Sequence, residues 1–177
     1  ALSVAEGIQE VTGLPAGIKW PNDIVVNGKK VVGILTELSM TPEMNEIQFL
    51  VAGVGVNVNQ ESTEEFPEEI RETATSLKIE SGRHIARAVL LERILTRFEE
   101  NYEAFERTLT LSELKERYES RLIGRDAGVR VLDPAGEYTG ISRGINETGE
   151  LIVEKDNGET VFVYAGEVSV RGLYGYT

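Results

Sequence analysis

Two runs of β-branched residues, Ile24-Val25-Val26 and Val31-Val32-Gly33-Ile34-Leu35, flank Asn27-Gly28. Both turn residues tolerate positive φ, and such a pair between strand-like runs is a strong short-range signal for a β-hairpin. That hairpin commits the first part of the chain to a sheet. Gly17-Ile18-Lys19-Trp20 reads as a short strand cut by Pro21, with Asn22-Asp23 forming a turn. Residues 47–59, IQFLVAGVGVNVN, read as a longer strand. Ahead of these, Leu2, Val4, Ala5, Ile8 and Val11 recur at helical spacing and predict a helix over 1–12 that closes at Gly13 and Pro15.

The pattern changes twice further on. Residues 60–80 are acidic, contain Ser and Thr, and read as an irregular stretch expected to run over the surface. Residues 84–107 form a long amphipathic helix, with Leu91, Ile94, Leu95, Phe98, Tyr102 and Phe105 on one stripe and Glu92, Arg93, Glu99, Glu100 and Glu103 on the other face. A second helix at about 111–122 ends before Gly124. From Gly128 onward, short alternating runs are separated by Asp133-Pro134-Ala135-Gly136, Asn146-Glu147-Thr148-Gly149 and Asp156-Asn157-Gly158. That spacing indicates a small closed barrel or sandwich. So short a tail has a marginal core by itself and is expected to lean on the first domain. The expectation is an α+β chain of two domains, 1–123 and 124–177.

Composition narrows the function classes. The 177 residues carry 18 Lys+Arg against 30 Asp+Glu, a formal charge of −12. A non-specific nucleic-acid binder needs cationic surface to displace counterions, so that class is disfavoured, though a local basic pocket for a phosphate is not. With no cysteine, disulfides, thiolate metal sites and cysteine nucleophiles are out. No apolar run approaches the roughly 20 residues of a membrane helix. The chain opens at Ala1 inside a helical pattern, as a fragment would.

Three places carry chemistry. In the strand at 47–59, alternation sets Ala52, Val54, Val56 and Val58 on one face, expected to be core, and Gly53, Gly55, Asn57 and Asn59 on the other. Two glycines inside a strand mark close approach of a ligand or another backbone. A flat ligand over Gly53 and Gly55 would meet an Asn able to donate to and accept from a heteroaromatic edge. Equally, the glycines make room for a packed helix. Lys19, in an otherwise apolar strand beside Trp20 and Pro21, suits anionic oxygens, particularly a carboxylate meeting a phosphate; an exposed strand lysine is the plainer alternative. Asp23 either approaches a hydrated magnesium ion or caps a turn. His84, the single histidine, reads as an exposed polar residue at a helix start. A phosphate-binding Gly-x-x-x-x-Gly-Lys loop, a Gly-x-Ser-x-Gly elbow and a histidine pair are all missing from the sequence.

Together these segments resemble a known family. Lys19-Trp20-Pro21-Asn22-Asp23, followed by Gly28-Lys29-Lys30-Val31-Val32-Gly33-Ile34-Leu35-Thr36-Glu37, is similar to the central motif of biotin protein ligases. Gly53-Val54-Gly55-Val56-Asn57-Val58-Asn59 looks like their next strand. Gly140-Ile141-Ser142-Arg143-Gly144-Ile145 and Gly166-Glu167-Val168-Ser169-Val170-Arg171 resemble their C-terminal Src-homology-3-like barrel. The likeness runs in order from the first residues to about 171.

The resemblance implies a mixed β-sheet with flanking helices, of the class II synthetase and biotin–lipoate ligase kind, followed by that barrel. It implies ATP-dependent activation of biotin to biotinyl-5′-adenylate, then transfer to a lysine of a biotin carboxyl carrier protein in the cytoplasm. Lys19 is then the catalytic cation, touching the biotin carboxylate and later the adenylate phosphate. Gly33, Ile34 and Leu35 line the biotin channel. Asn22, Gly53, Gly55, Asn57, Glu167 and Arg171 serve ATP, the adenylate or the carrier. Mg²⁺ is implied as a cofactor, with Asp23 as its candidate ligand, and a homodimer is compatible. The family's upstream Gly/Arg-rich loop and its ureido-binding residues do not occur in these 177 residues. The expectation is a C-terminal portion of a ligase, incompetent alone, with no nucleic-acid or membrane partner through this segment. A lipoate-type ligase is the nearest alternative, although the Trp-Pro-Asn-Asp run favours biotin. A non-catalytic interaction module is the alternative from another class.

Overall fold

The computed structural model describes residues 1–40, 47–134, 136–165 and 169–172. Helix α1 (Leu2–Thr12) stops at Gly13, whose φ of 77° is the left-handed conformation glycine adopts without strain. Strands β1 (Gly17–Lys19), β2 (Asp23–Val26), β3 (Lys29–Met40) and β4 (Ile47–Val56) then form one antiparallel sheet in that order. The β2–β3 turn is the expected two-residue one, with Asn27 at φ 50° and Gly28 at φ 77°. The turn before β2 is Trp20-Pro21-Asn22, and Asp23 is the first strand residue after it rather than part of the turn.

Helices α2 (Leu77–Ser81), α3 (Arg87–Thr108) and α4 (Lys115–Glu119) follow. Helix α1 packs along α3 so closely at Gly7 that an added Cβ would lie 2.8 Å from the Ile94 side chain and 3.0 Å from its backbone nitrogen. The core between helices and sheet holds Ile8, Ile18, Ile24, Val26, Val32, Leu77, Ile85 and Leu90. Polar groups buried there are paired: Arg117 reaches Glu6 at 3.0 Å, and Asn101 Nδ2 donates to Ser3 Oγ at 3.0 Å.

Three expectations change. On α3 the buried residues are Leu90, Asn101 and Ala104, whereas Leu91, Leu95, Phe98 and Tyr102 are exposed. The apolar arc is wider than the edge that α1 covers. In β4, Ala52 and Val54 are exposed rather than core, and burial begins only with Val56 and Val58. This strand is the sheet edge, and no other described element covers its outer half. Finally, the expected helix at 111–122 is helical only over Lys115–Glu119. Its ends are drawn away: Leu111 N–H donates to Glu147 O, and Ile18 exchanges bonds of 2.8 Å with Arg121 O and Ile123 N.

Strands β5 (Gly128–Leu132), β6 (Tyr138–Ile145), β7 (Leu151–Lys155), β8 (Thr160–Val163) and β9 (Ser169–Gly172) form a second antiparallel sheet, ordered β8-β7-β6-β5-β9. It does lean on the first part of the chain. Trp20 is 6% exposed and belongs to the cluster of Val129, Val131, Ile145, Leu151, Val153 and Val163. Its indole N–H donates to Gly149 O at 3.0 Å. Buried Glu119 at the end of α4 accepts from Ile145 N–H at 3.0 Å and from Lys115. No helix among the described residues is long and apolar enough to cross a membrane.

Candidate active site

Antiparallel register brings the site together. Lys19 stands opposite Asp23, Asp23 opposite Gly33, and Gly33 opposite Gly55. Directly opposed residues share a face, so these four form one row across the whole sheet. The adjacent row on that face is Leu35 opposite Gly53. The row therefore runs from a cation, through a carboxylate, onto bare backbone. Added Cβ atoms at Gly53 and Gly55 would meet nothing nearer than carbonyl oxygens at 3.8 Å. The shelf is open space that side chains would fill, which fits the reading of close ligand approach better than that of a packed helix.

Asn57 continues the same alternation. Its N–H donates to Val31 O at 2.8 Å and its carbonyl accepts from Leu77 N–H at 2.9 Å, which pins the strand end. Asn59, read as a second carboxamide on this face, is used structurally: Oδ1 accepts from Ile85 N–H and Nδ2 donates to Ile85 O, both at 2.9 Å. Asn22 also holds backbone. Its Nδ2 donates to Ile34 O at 2.7 Å and its carbonyl accepts from Ile34 N–H at 2.9 Å, fastening the turn onto β3. Leu35 is 63% exposed on the shelf face. Ile34 lies in the opposite set, paired with Val54 and packed against the core, so the sheet separates it from Gly33 and Leu35.

Burial lowers the Lys19 pKa below its ordinary 10.5; Arg171 and Lys30 add to the effect and Asp23 opposes it. The charge of Arg171, on β9 of the second sheet, thus acts on the Lys19 end of the row. Glu167 lies outside the described residues. Sequence reasoning missed Lys30. Its Nζ is 2.5 Å from Asp23 Oδ1, and its stem crosses Gly33. The only signal was a pair of lysines after Asn27-Gly28, which does not say which of them faces the row.

Two lysines beside one carboxylate, with the Arg171 charge also acting on Lys19, favour a carboxylate or phosphate ligand, and partial burial strengthens the attraction by excluding water. Asp23 does not fit a resident Mg²⁺ site. It is a single carboxylate already paired with Lys30, and no cluster of three acidic or histidine side chains occurs among the described residues.

Two family profiles match the chain: the Biotin/lipoate A/B protein ligase family over residues 1–57, and the Biotin protein ligase C terminal domain over residues 127–171. The chain is 39% identical over 158 residues to the bifunctional ligase/repressor BirA of Bacillus spizizenii, covering 89% of this chain and 47% of that protein. It is 32% identical to the biotin--[acetyl-CoA-carboxylase] ligase of Mycobacterium tuberculosis, covering 94% of this chain and 59% of that one. It thus spans about half the length of the curated relatives it matches. Among solved structures, the apo biotin protein ligase of Aquifex aeolicus superposes with a TM-score of 0.82 at 34% identity, over 97% of this chain and 72% of that chain. The same protein in complex with biotin and ATP gives the same score, over 68% of that chain.

Proposed function

Because the chain belongs to the biotin protein ligase family, we propose that it carries part of the site for ATP-dependent activation of biotin and transfer to a carrier lysine. The observation that carries this reading is the row Lys19–Asp23–Gly33–Gly55, a half-buried cation beside an open glycine shelf. In the first step a biotin carboxylate oxygen attacks the α-phosphorus of ATP, and pyrophosphate leaves. Two anions must meet, and a preorganised ammonium offsets their repulsion without reorganising as the reaction proceeds. Lys19 fills that role. Gly33 and Leu35 border the biotin end, while Gly53 and Gly55 admit the flat base and Asn57 reads its edge. Arg171, with Glu167, serves the nucleotide, and Asn22 holds the turn after Lys19 onto β3. Mg²⁺ enters with ATP as part of the substrate. In the second step the carrier's lysine amine attacks the acyl carbon and AMP leaves.

The same reading sets the boundary of the two domains at 123–124, supported by the separate spans of the two family matches. It implies a cytoplasmic protein whose partner is a biotin carboxyl carrier domain. The exposed β4 edge suits a homodimer.

Biotin-dependent ATP–pyrophosphate exchange, measured on a protein that joins this segment to the upstream half its relatives have, tests the proposal. Lys19→Ala should slow exchange about 10²–10³-fold, equivalent to about 2.7–4 kcal/mol of barrier. Exchange driven by lipoate and not biotin would sink the substrate assignment, and an unaffected Lys19→Ala variant would remove the catalytic reading in favour of an interaction module.

A further inference from the structure

Helix α1 begins at the wall of a cavity. It runs antiparallel to α3, since Ser3 meets Asn101 near one end and Val11 meets Arg83 near the other. Ala1 therefore points past the C-terminal half of α3, toward the junction with the second sheet. There a cavity of about 400 Å³ is lined by Ala1, Trp20, Phe98, Tyr102, Phe105 and Tyr118. Three of these rings form a ladder along α3, with centroids 5.8 Å apart between Phe98 and Tyr102 and 6.4 Å apart between Tyr102 and Phe105.

The first turn of α1 has the surroundings of a helix interior. Leu2, Ser3 and Val4 are buried, and no described side chain caps the helix. Ala5 N–H donates the first helical bond, to Ala1 O at 3.0 Å. For the three N–H groups before it, the carbonyls four residues back lie ahead of Ala1. Burial also lowers the Ala1 amino group from its ordinary 8.0 to about 6. An amide at that nitrogen has no charge to desolvate.

The cavity continues into an apolar seam on α3, which shares Phe98 and Tyr102 with it. Counting back from Phe105, the seam carries Tyr102, Phe98, Leu95, Leu91 and Ala88 at alternating steps of three and four residues, the spacing of a helix–helix contact. Helix α1 covers one flank, at Ile94 and Asn101. Glu92, Glu99 and Glu106, all exposed, line the other. A second copy docked antiparallel about a two-fold axis would set that acidic row against itself, because the same residues meet in such a pair. The family's C-terminal domain occupies residues 127–171, and the chain covers 47% of its Bacillus spizizenii relative, so the half that such relatives have in addition joins at the Ala1 end.

We propose that the residues directly ahead of Ala1 continue α1 upstream and seat an apolar side chain in this cavity, and that the same upstream half covers the seam of α3. The carbonyls of the added turn accept from the N–H groups of Leu2, Ser3 and Val4. The filled cavity then fastens the upstream half to α3 and, through Trp20, to the strand of Lys19 and the second sheet. The proposal rests on family membership and not on the ligase activity.

Hydroxyl-radical footprinting of a protein that joins this segment to the upstream half, read by mass spectrometry, tests it. Phe98 on α3 is 56% exposed and Phe162 on β8 is 52% exposed, so the two phenylalanines should be oxidised alike if nothing covers the seam. In the joined protein Phe98 should be oxidised at least about fivefold more slowly than Phe162, because it passes from half exposed to core burial. On irradiation, Phe98→p-benzoylphenylalanine in the joined protein should cross-link to the peptide directly ahead of Ala1. Tyr102→p-benzoylphenylalanine serves if that variant does not fold by circular dichroism. Equal oxidation of Phe98 and Phe162 overturns the proposal, as does a cross-link between two copies or one confined to residues 1–177. Neither measurement needs biotin or ATP. Protection of Phe98 without biotin-dependent exchange would leave the docking standing and remove the ligase reading, and exchange without protection would do the reverse.

Discussion

Trp20 ties the strand that carries Lys19 to the second sheet, and truncating it measures that tie. The side chain packs among Val129, Val131, Ile145, Leu151 and Val153, and donates to Gly149 O at 3.0 Å. Trp20→Ala removes the packing and leaves a carbonyl without its donor. Aromatic truncation in a core costs about 3–5 kcal/mol, and the loss of one part-buried hydrogen bond adds about 1 kcal/mol. Trp20→Phe keeps much of the volume and loses the hydrogen bond, so it should cost about 1–2 kcal/mol. Against a total stability of about 5–15 kcal/mol, the first loss is severe and the second tolerable. Urea unfolding followed by far-UV circular dichroism gives both values, provided the m-values agree. Trp20 is the single tryptophan, so wild-type fluorescence reports on its transfer from this cluster to water. A Trp20→Ala variant within about 1 kcal/mol of wild type would refute the reasoning. It would mean that the second sheet is held elsewhere and Trp20 merely fills space.

Two further outcomes follow from the geometry. Gly55→Val fits the strand sterically, its Cβ no closer than 3.8 Å to Gly33 O, and Gly is unfavourable inside strands. Its melting temperature should equal or exceed that of wild type, while nucleotide binding by calorimetry falls at least about tenfold because the shelf is filled. For Glu119, burial pushes the pKa up, but hydrogen bonds from Lys115 and Ile145 N–H and the charges of Lys115 and Arg125 outweigh it and hold the carboxyl below its ordinary 4.5. A depressed carboxyl stabilises the fold above pH 4.5 and loses that contribution as pH falls through its native pKa. Glu119→Gln should therefore be less stable at neutral pH and show a flatter decline below 4.5 in denaturant titrations. An unchanged acid limb would exclude this carboxylate as a junction element.

The sequence made the hairpin legible because its cause is local. Asn27 and Gly28 adopt the positive φ values that the two-residue turn requires, whatever lies elsewhere in the chain. Helix α1 and its glycine stop were readable for the same reason. The likeness of Lys19-Trp20-Pro21-Asn22-Asp23 to a family motif named the residues of the site but not their division of labour. Asn22, grouped with the nucleotide contacts by resemblance, spends its amide on Ile34 O. Asn59, two residues from Asn57, holds Ile85 instead of facing the shelf. The burial of α3 and β4 is not legible in their apolar pattern, which says which face can be covered, not whether a neighbour covers it.

Period and turn chemistry, by themselves, determined two regions of different character, a glycine-lined strand and a lysine beside proline. These depend on interactions within a few residues of one another. Tertiary structure alone decided that positions 19, 23, 33 and 55 share one row, that Trp20 belongs to the other sheet's core, and that the Arg171 charge acts on Lys19. It also decided, through a single extra residue at Val31, that Lys30 faces Asp23 rather than the core. Register and bulges arise from pairing between distant segments, and a one-residue slip exchanges the two faces of a strand. No local pattern carries that information.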